Sequence, residues 1–168
     1  MILYFMRHGI AVNRADTGAS SDDRERALTP KGIKRMRRAA KGVRSLSLPL
    51  DRILTSPFER ARQTARIVAA ALHMEDRLEE IQQLCPDQSV QDLLSALAAY
   101  SGKDNILLIG HEPLLSSTVS FLLSGSAGAE IRLKKGGLCC LEVDRLPPKE
   151  SAVLDWALTP KQLRLLAR

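Results

Sequence analysis

The sequence predicts an α/β protein, a three-layer α/β/α sandwich whose central sheet is mainly parallel with a partly antiparallel edge. Three observations carry that expectation. Strand-like runs at Ile2–Met6, Arg52–Thr55 and Ile106–Ile109 are separated by helically patterned stretches, the signature of parallel strands joined by crossovers. Three later runs, Glu130–Leu133, Leu138–Val143 and Ala152–Ala157, have no long helices between them and read as edge strands with antiparallel pairing. The 168 residues show no internal repeat or low-complexity linker, which gives one domain spanning residues 1–168.

Taken in order, the first strand is apolar from Met1 to Met6 and meets its first charge only at Arg7. A secretory signal has the opposite order, so the expectation is a first strand and a cytoplasmic protein. Thr29-Pro30 supplies an N-cap and a first-turn proline, and Ile33, Met36, Ala40 and Val43 then recur at helical spacing. After the second strand, Ser56-Pro57-Phe58-Glu59 has the S-x-x-E capping-box pattern, followed by the stripe Ala61, Ala65, Val68 and Leu72. Ser89 with Asp92 opens a third helix over Val90 to Tyr100, and Pro113 a fourth to about Leu123. Thr159-Pro160 caps a short C-terminal helix.

Composition narrows the function. Hydrophobic residues at 45% and charged residues at 26% exclude a largely disordered or fibrous chain. The longest apolar run, Ile67–Leu72, falls far short of the ~18 residues a spanning helix needs, so no membrane role is expected. Cys85, Cys139 and Cys140 form neither a CxxC nor an even framework, and strand alternation sends Cys139 and Cys140 to opposite faces. A buried apolar role suits at least one of them best.

Polar residues gather just past the three central strands: Arg7-His8-Gly9, then Ser56 with Arg60 in the next helix, then Gly110-His111-Glu112-Pro113. In an open parallel sheet, ligands bind outside the carboxyl ends of the strands. Two histidines, two arginines and two helix N-termini would converge there, an arrangement suited to an anion and above all to phosphate. His73 ends a helix and reads as a surface residue.

These residues resemble the histidine phosphatase (phosphoglycerate mutase-like) superfamily. The resemblance rests on Arg7-His8-Gly9, Leu28-Thr29-Pro30-Lys31-Gly32, the stretch Ser56-Pro57-Phe58-Glu59-Arg60-Ala61-Arg62-Gln63-Thr64, and Gly110-His111-Glu112-Pro113. Length and the second-helix motif look most like the small bacterial SixA-type phosphohistidine phosphatases. The resemblance implies that His8 is a nucleophile that becomes phosphorylated, with Arg7, Arg60 and His111 around the transferring phosphoryl group. His8 needs a neutral nitrogen to attack, and its other N–H needs an acceptor such as a backbone carbonyl. His111 is expected to contribute most as a protonated donor, which phosphate favours and burial opposes. Gly9, Ser56 and Arg26 are the expected substrate-binding residues, Arg26 being equally readable as a solvated arginine in a basic stretch.

Larger family members use a Glu after the second helix to protonate the leaving oxygen. This sequence carries Gln83 at the matching place, with Glu79, Glu80 and Asp87 nearby. An alkoxide needs a positioned acid, whereas the imidazole of phosphohistidine departs neutral once protonated. The expectation is therefore a metal-free, cofactor-free phosphatase acting on phosphohistidine of a protein in a phosphorelay or phosphotransfer chain. The alternatives are a phosphomonoesterase or mutase for small phosphate esters, and a non-catalytic phosphate-binding module. No zinc-like ligand spacing appears. The net charge of +6 is concentrated in Lys31, Lys34, Arg35, Arg37, Arg38, Lys41 and Arg44, which fits a solvated helix face or a docking surface for an acidic phosphoprotein. With 4% aromatics and no stacking platform, nucleic acid is not an expected partner. Oligomeric state stays open.

Overall fold

The computed structural model describes residues 1–13, 15, 22–126, 128–146 and 148–167. Strands β1 (Ile2–Arg7), β2 (Arg52–Thr55), β3 (Leu78–Glu80), β4 (Asn105–Gly110), β5 (Leu138–Glu142) and β6 (Val153–Leu158) form one sheet in the order β3-β2-β4-β1-β5-β6. The β3–β2, β2–β4 and β4–β1 pairs are parallel, and β5 pairs antiparallel with both β1 and β6. Only β5 therefore runs against the others.

Alternation along the strands builds two cores. Leu3 and Phe5 of β1 pack with Leu93, Leu97, Leu115 and Val119 from α3 (Val90–Leu97) and α4 (Leu114–Ser124). Tyr4 and Met6 face the other way, into Met36, Ala40 and Val43 of α1 (Pro30–Ser45), Ala65 and Val68 of α2 (Glu59–Leu72), and Leu163 of α5 (Pro160–Leu166). The expected sandwich is present. Cys139 and Cys140 divide between the two cores as alternation requires, and all three cysteines are free and buried. Gly42 lets α5 press onto α1, since a Cβ there would stand 1.8 Å from the Leu163 carbonyl oxygen. Among the described residues no helix is long and apolar enough to cross a membrane.

Three local readings change. Residues Glu130–Leu133 are irregular, because β5 takes the free edge of β1 and the Leu133 carbonyl accepts instead from Arg7 Nη1 at 3.1 Å. β3 was invisible in the pattern: it has three residues, two of them exposed glutamates. The S-x-x-E capping box does not form. α2 starts at Glu59 with Phe58 at its cap and no side-chain cap bond, while Ser56 is turned fully inward. The caps at Thr29, Ser89 and Thr159 form as read, each side chain accepting from the expected backbone N–H.

Candidate active site

Strands β2, β4 and β1 are neighbours whose carboxyl ends are level. Arg7 stands across from Gly110, and Thr55 across from Ile109. The ladder continues one residue past each end, with His8 N–H donating to Gly110 O at 3.0 Å and Ser56 N–H to Ile109 O at 3.1 Å. The three polar loops thus leave the sheet side by side. His8 and His111 end with ring centroids 4.9 Å apart.

His8 is 6% exposed, and its Nδ1 lies 2.7 Å from the Gly9 carbonyl oxygen. A carbonyl only accepts, so Nδ1 carries the proton and Nε2 keeps its lone pair. This is the backbone acceptor that nucleophilic use of His8 requires. Burial pushes the His8 pKa down to about 3, helped by Arg60, Arg7 and Lys135 and opposed by the Gly9 bond. The imidazole is therefore neutral at ordinary pH. Gly9 contributes through its main chain: its N–H donates to Thr64 Oγ1 at 3.0 Å, and that hydroxyl donates to Arg60 O at 2.7 Å. Thr64 so ties the His8 loop to α2.

His111 is 1% exposed, and burial, followed by the fields of His8 and the arginines, drives its pKa down to about 2. Without an anion beside it the imidazole is neutral, as the burial that opposes its protonation dictates. Nε2 is 2.9 Å from Ser56 Oγ, which also accepts from Phe58 N–H at 3.2 Å. The ring accepts from Ser56 Oγ in one tautomer and donates to it in the other, since that oxygen has a second lone pair and its hydroxyl also donates to Cys85 Sγ at 3.7 Å. His111 Nδ1 is buried without a hydrogen-bond partner among the described residues. Ser56 is fully buried, and its hydroxyl holds the His111 ring. Phe58 supports the same ring edge-on at 5.2 Å.

The cations are individually fixed. Arg7 is anchored by Leu133 O, and Arg60 has its guanidinium 5.0 Å over the Phe58 ring and bonded to Asp23. The Nε of each is buried and has no partner among the described residues. Together with His111 Nδ1, that makes three buried nitrogens without partners among the described residues in the cluster with His8, an arrangement that suits a phosphoryl group. Arg26 reaches the same cluster, bonded through Nε to Asp23 and through Nη1 to Val12 O at 2.8 Å. Lys135 joins them from the turn after Leu133, where Gly136 N–H donates to Arg7 O and His8 O. Burial and then the fields of Arg7, Arg26 and Arg60 lower the Lys135 pKa.

The acid candidates are occupied elsewhere or lie outside the cluster. Glu79 accepts from Tyr100 Oη at 2.6 Å, Glu80 lies 3.0 Å from Arg62 Nε, and Asp87 is exposed. Among the described residues none of the three bonds to Arg7, His8, Arg60 or His111. His73 is exposed at the end of α2, outside the site. No group of three or more His, Cys, Asp or Glu among the described residues is placed to hold a metal ion. Sequence reasoning missed Asp23, Thr64 and Lys135 as site residues. Their only local signals were the Asp-x-x-Arg spacing to Arg26, the second-helix motif, and a Lys-Gly turn before β5.

Comparisons with known proteins bear on the family and the fold. The family model of the histidine phosphatase superfamily (branch 1) matches residues 3–84, a span with His8 and Arg60 but not His111. An uncharacterized protein of Picosynechococcus sp. is 39% identical over 140 residues, 82% of each chain. The phosphohistidine phosphatase SixA of Escherichia coli is 27% identical over 175 residues, 98% of each chain. A solved structure of the protein histidine phosphatase SixA complexed with tungstate superimposes with a TM-score of 0.83 at 27% identity, covering 97% of this chain and 99% of that one. The fold alone extends further, to the alpha-ribazole phosphatase of Shigella flexneri, with a TM-score of 0.74 at 20% identity over 95% of this chain and 97% of that one.

Proposed function

The chain belongs to the histidine phosphatase superfamily, and from that premise we propose that it hydrolyses phosphohistidine carried on a protein, without a metal ion, through a phosphohistidine formed on its own His8. The observation that carries this reading is the state of His8: neutral, with Nδ1–H tied to Gly9 O and Nε2 free beside buried, unpartnered arginine and histidine donors. The tungstate complex of SixA supports an oxyanion site in this fold, tungstate being an oxyanion of phosphate's shape.

In the first step the Nε2 lone pair attacks phosphorus. A P–Nε2 bond forms, the substrate's P–N bond breaks with its electron pair returning to the substrate nitrogen, and the imidazole departs as a neutral ring because its other nitrogen already carries a proton. In the second step a water oxygen attacks phosphorus, the P–Nε2 bond breaks, inorganic phosphate leaves and one water proton goes to solvent. Arg7, Arg60 and His111 hold the equatorial oxygens in both steps, where charge is spread over three atoms. Preformed donors cost no reorganisation at that moment. The P–N substrate is favoured over an ester because Glu79 and Glu80 are engaged by Tyr100 and Arg62, leaving an alkoxide without a positioned acid. A protein substrate in the cytoplasm also fits the three reduced, buried cysteines.

The test is to offer the purified chain a protein phosphorylated on histidine by phosphoramidate and, separately, p-nitrophenyl phosphate. The expected result is phosphate release from the first, with an acid-labile, alkali-stable phosphoenzyme that His8→Ala abolishes and chelators do not affect. A much higher kcat/KM on the ester would replace this reading with a phosphomonoesterase. No His8-dependent turnover of either would leave a phosphate-binding module.

A further inference from the structure

One carboxylate in the site has no part in the chemistry above, yet it touches two of its cations. Asp23 opens the short turn Asp23–Glu25, itself capped by Asp22 accepting from Arg24 N–H. Asp23 Oδ2 accepts from Arg60 Nη2 at 2.9 Å, its main-chain oxygen accepts from Arg60 Nη1 at 2.6 Å, and its Oδ1 accepts from Arg26 Nε at 2.7 Å. Both arms of the Arg60 fork are thus held at their tips by one residue, while the Phe58 ring lies against the guanidinium face at 5.0 Å. The fork cannot swing or roll, and the edge left over includes the buried, unpartnered Nε. Arg26 is fixed between Asp23 and Val12 O.

From this geometry we propose that Asp23 is a positioning residue for phosphoryl transfer: its carboxylate and carbonyl clamp Arg60 and Arg26 in the orientation that meets the phosphoryl oxygens on His8. The proposal rests on the phosphatase reading for its reaction but not for its binding test. A guanidinium whose side chain is only 4% exposed, with no counter-charge, would be costly to bury and free to turn. The clamp removes both problems and keeps the anion-facing edge available. It also assigns Asp23 away from proton transfer. Burial raises its pKa, but Arg60 and Arg26 outweigh burial and hold the carboxyl below its ordinary range, so it carries no proton to give at neutral pH.

The experiment compares Asp23→Asn and Asp23→Ala with the parent chain in two readouts, steady-state release of phosphate from the histidine-phosphorylated protein and calorimetric binding of inorganic phosphate. Asn keeps an acceptor oxygen and Ala keeps only the main-chain carbonyl. The expected losses in kcat are about 10-fold for Asn and about 100-fold for Ala with KM changed little, and phosphate affinity falls in the same order. The pH profile keeps its shape. Parent-like kcat and phosphate binding in Asp23→Ala would overturn the proposal, and so would loss of one limb of the pH profile in Asp23→Asn, which would make Asp23 an acid or base. If the parent chain releases no phosphate yet the variants still bind it more weakly, the clamp stands and the phosphatase reading fails. Should neither variant fold, Arg26→Gln is measured the same way; an unchanged kcat and phosphate affinity would then refute the clamp.

Discussion

The molecule displays positive charge in two regions that behave oppositely. On the outer face of α1, Lys31, Lys34, Arg35, Arg37, Arg38, Lys41 and Arg44 are all exposed, and none of these side chains forms an ion pair with a described residue. At the carboxyl ends of β1, β2 and β4 there are fewer cations, and the arginines there have fixed partners: Leu133 O for Arg7, Asp23 for Arg60, Asp23 and Val12 O for Arg26. The α1 face supplies most of a long-range field that screening erases beyond roughly 8–10 Å at physiological salt. The site supplies few charges but removes their freedom. A phosphoryl group rewards the second arrangement, because its transition state needs donors at three particular oxygens.

The difference can be broken most decisively at Arg60. Arg60→Ala should lower kcat/KM by on the order of 10²–10³-fold, and Arg60→Lys should recover little, because an ammonium cannot span Asp23 and the substrate as a fork does. Steady-state kinetics on the histidine-phosphorylated protein read both. Next comes Ser56→Ala, which leaves every charge in place but releases His111 Nε2. A loss of about 10-fold in kcat is expected, and parent-like kcat would show that the serine's hold on His111 does not matter to the reaction.

The third test concerns stability. His8 and His111 are neutral when folded, with pKa values of about 3 and about 2, whereas a free imidazole titrates near 6.5. As pH falls below 6.5 the unfolded chain takes up protons that the folded chain refuses, so stability drops toward acid, by up to ~1.4 kcal/mol per pH unit for each histidine. Denaturant midpoints between pH 7 and pH 5 should fall less steeply in His8→Ala than in the parent. Equal slopes would mean that His8 is not held neutral. The smallest effect should come from the other region: Arg37→Gln with Lys41→Gln should change kcat/KM on free phosphohistidine less than about 2-fold, as expected of unpaired, exposed charge. A larger change would join the two regions functionally.

The sequence disclosed most of the architecture and the convergence of Arg7, His8, Arg60 and His111 for one physical reason: both are written in short-range pattern. Ile53 and Leu54 are buried on both faces of the sheet and announce β2, and Thr29, Ser89 and Thr159 announce helix starts because their hydroxyls serve neighbours two or three residues away. Ser56 shows the limit. Its S-x-x-E context fits a cap equally well, and only the proximity of His111, 55 residues later, decides that its hydroxyl goes inward. Asp23 is hidden in the same way, since its partner Arg60 lies 37 residues on. Glu130–Leu133 had strand-like composition, but the single free edge of β1 could accept only one partner and β5 took it.

The turn from Lys134 to Gly137 bears on how the protein comes into being. Arg7 and His8 offer their carbonyls to Gly136 N–H, Arg7 N–H donates to Gly137 O, and the Arg7 side chain is held by Leu133, 126 residues away in sequence. A ribosome makes Arg7 and His8 more than a hundred residues before the brace that seats them. Until Leu133 to Gly137 has been made, the His8 loop lacks that brace even though its ladder partner Gly110 is already present, so a shorter nascent chain carries the imidazole without the contacts that seat it.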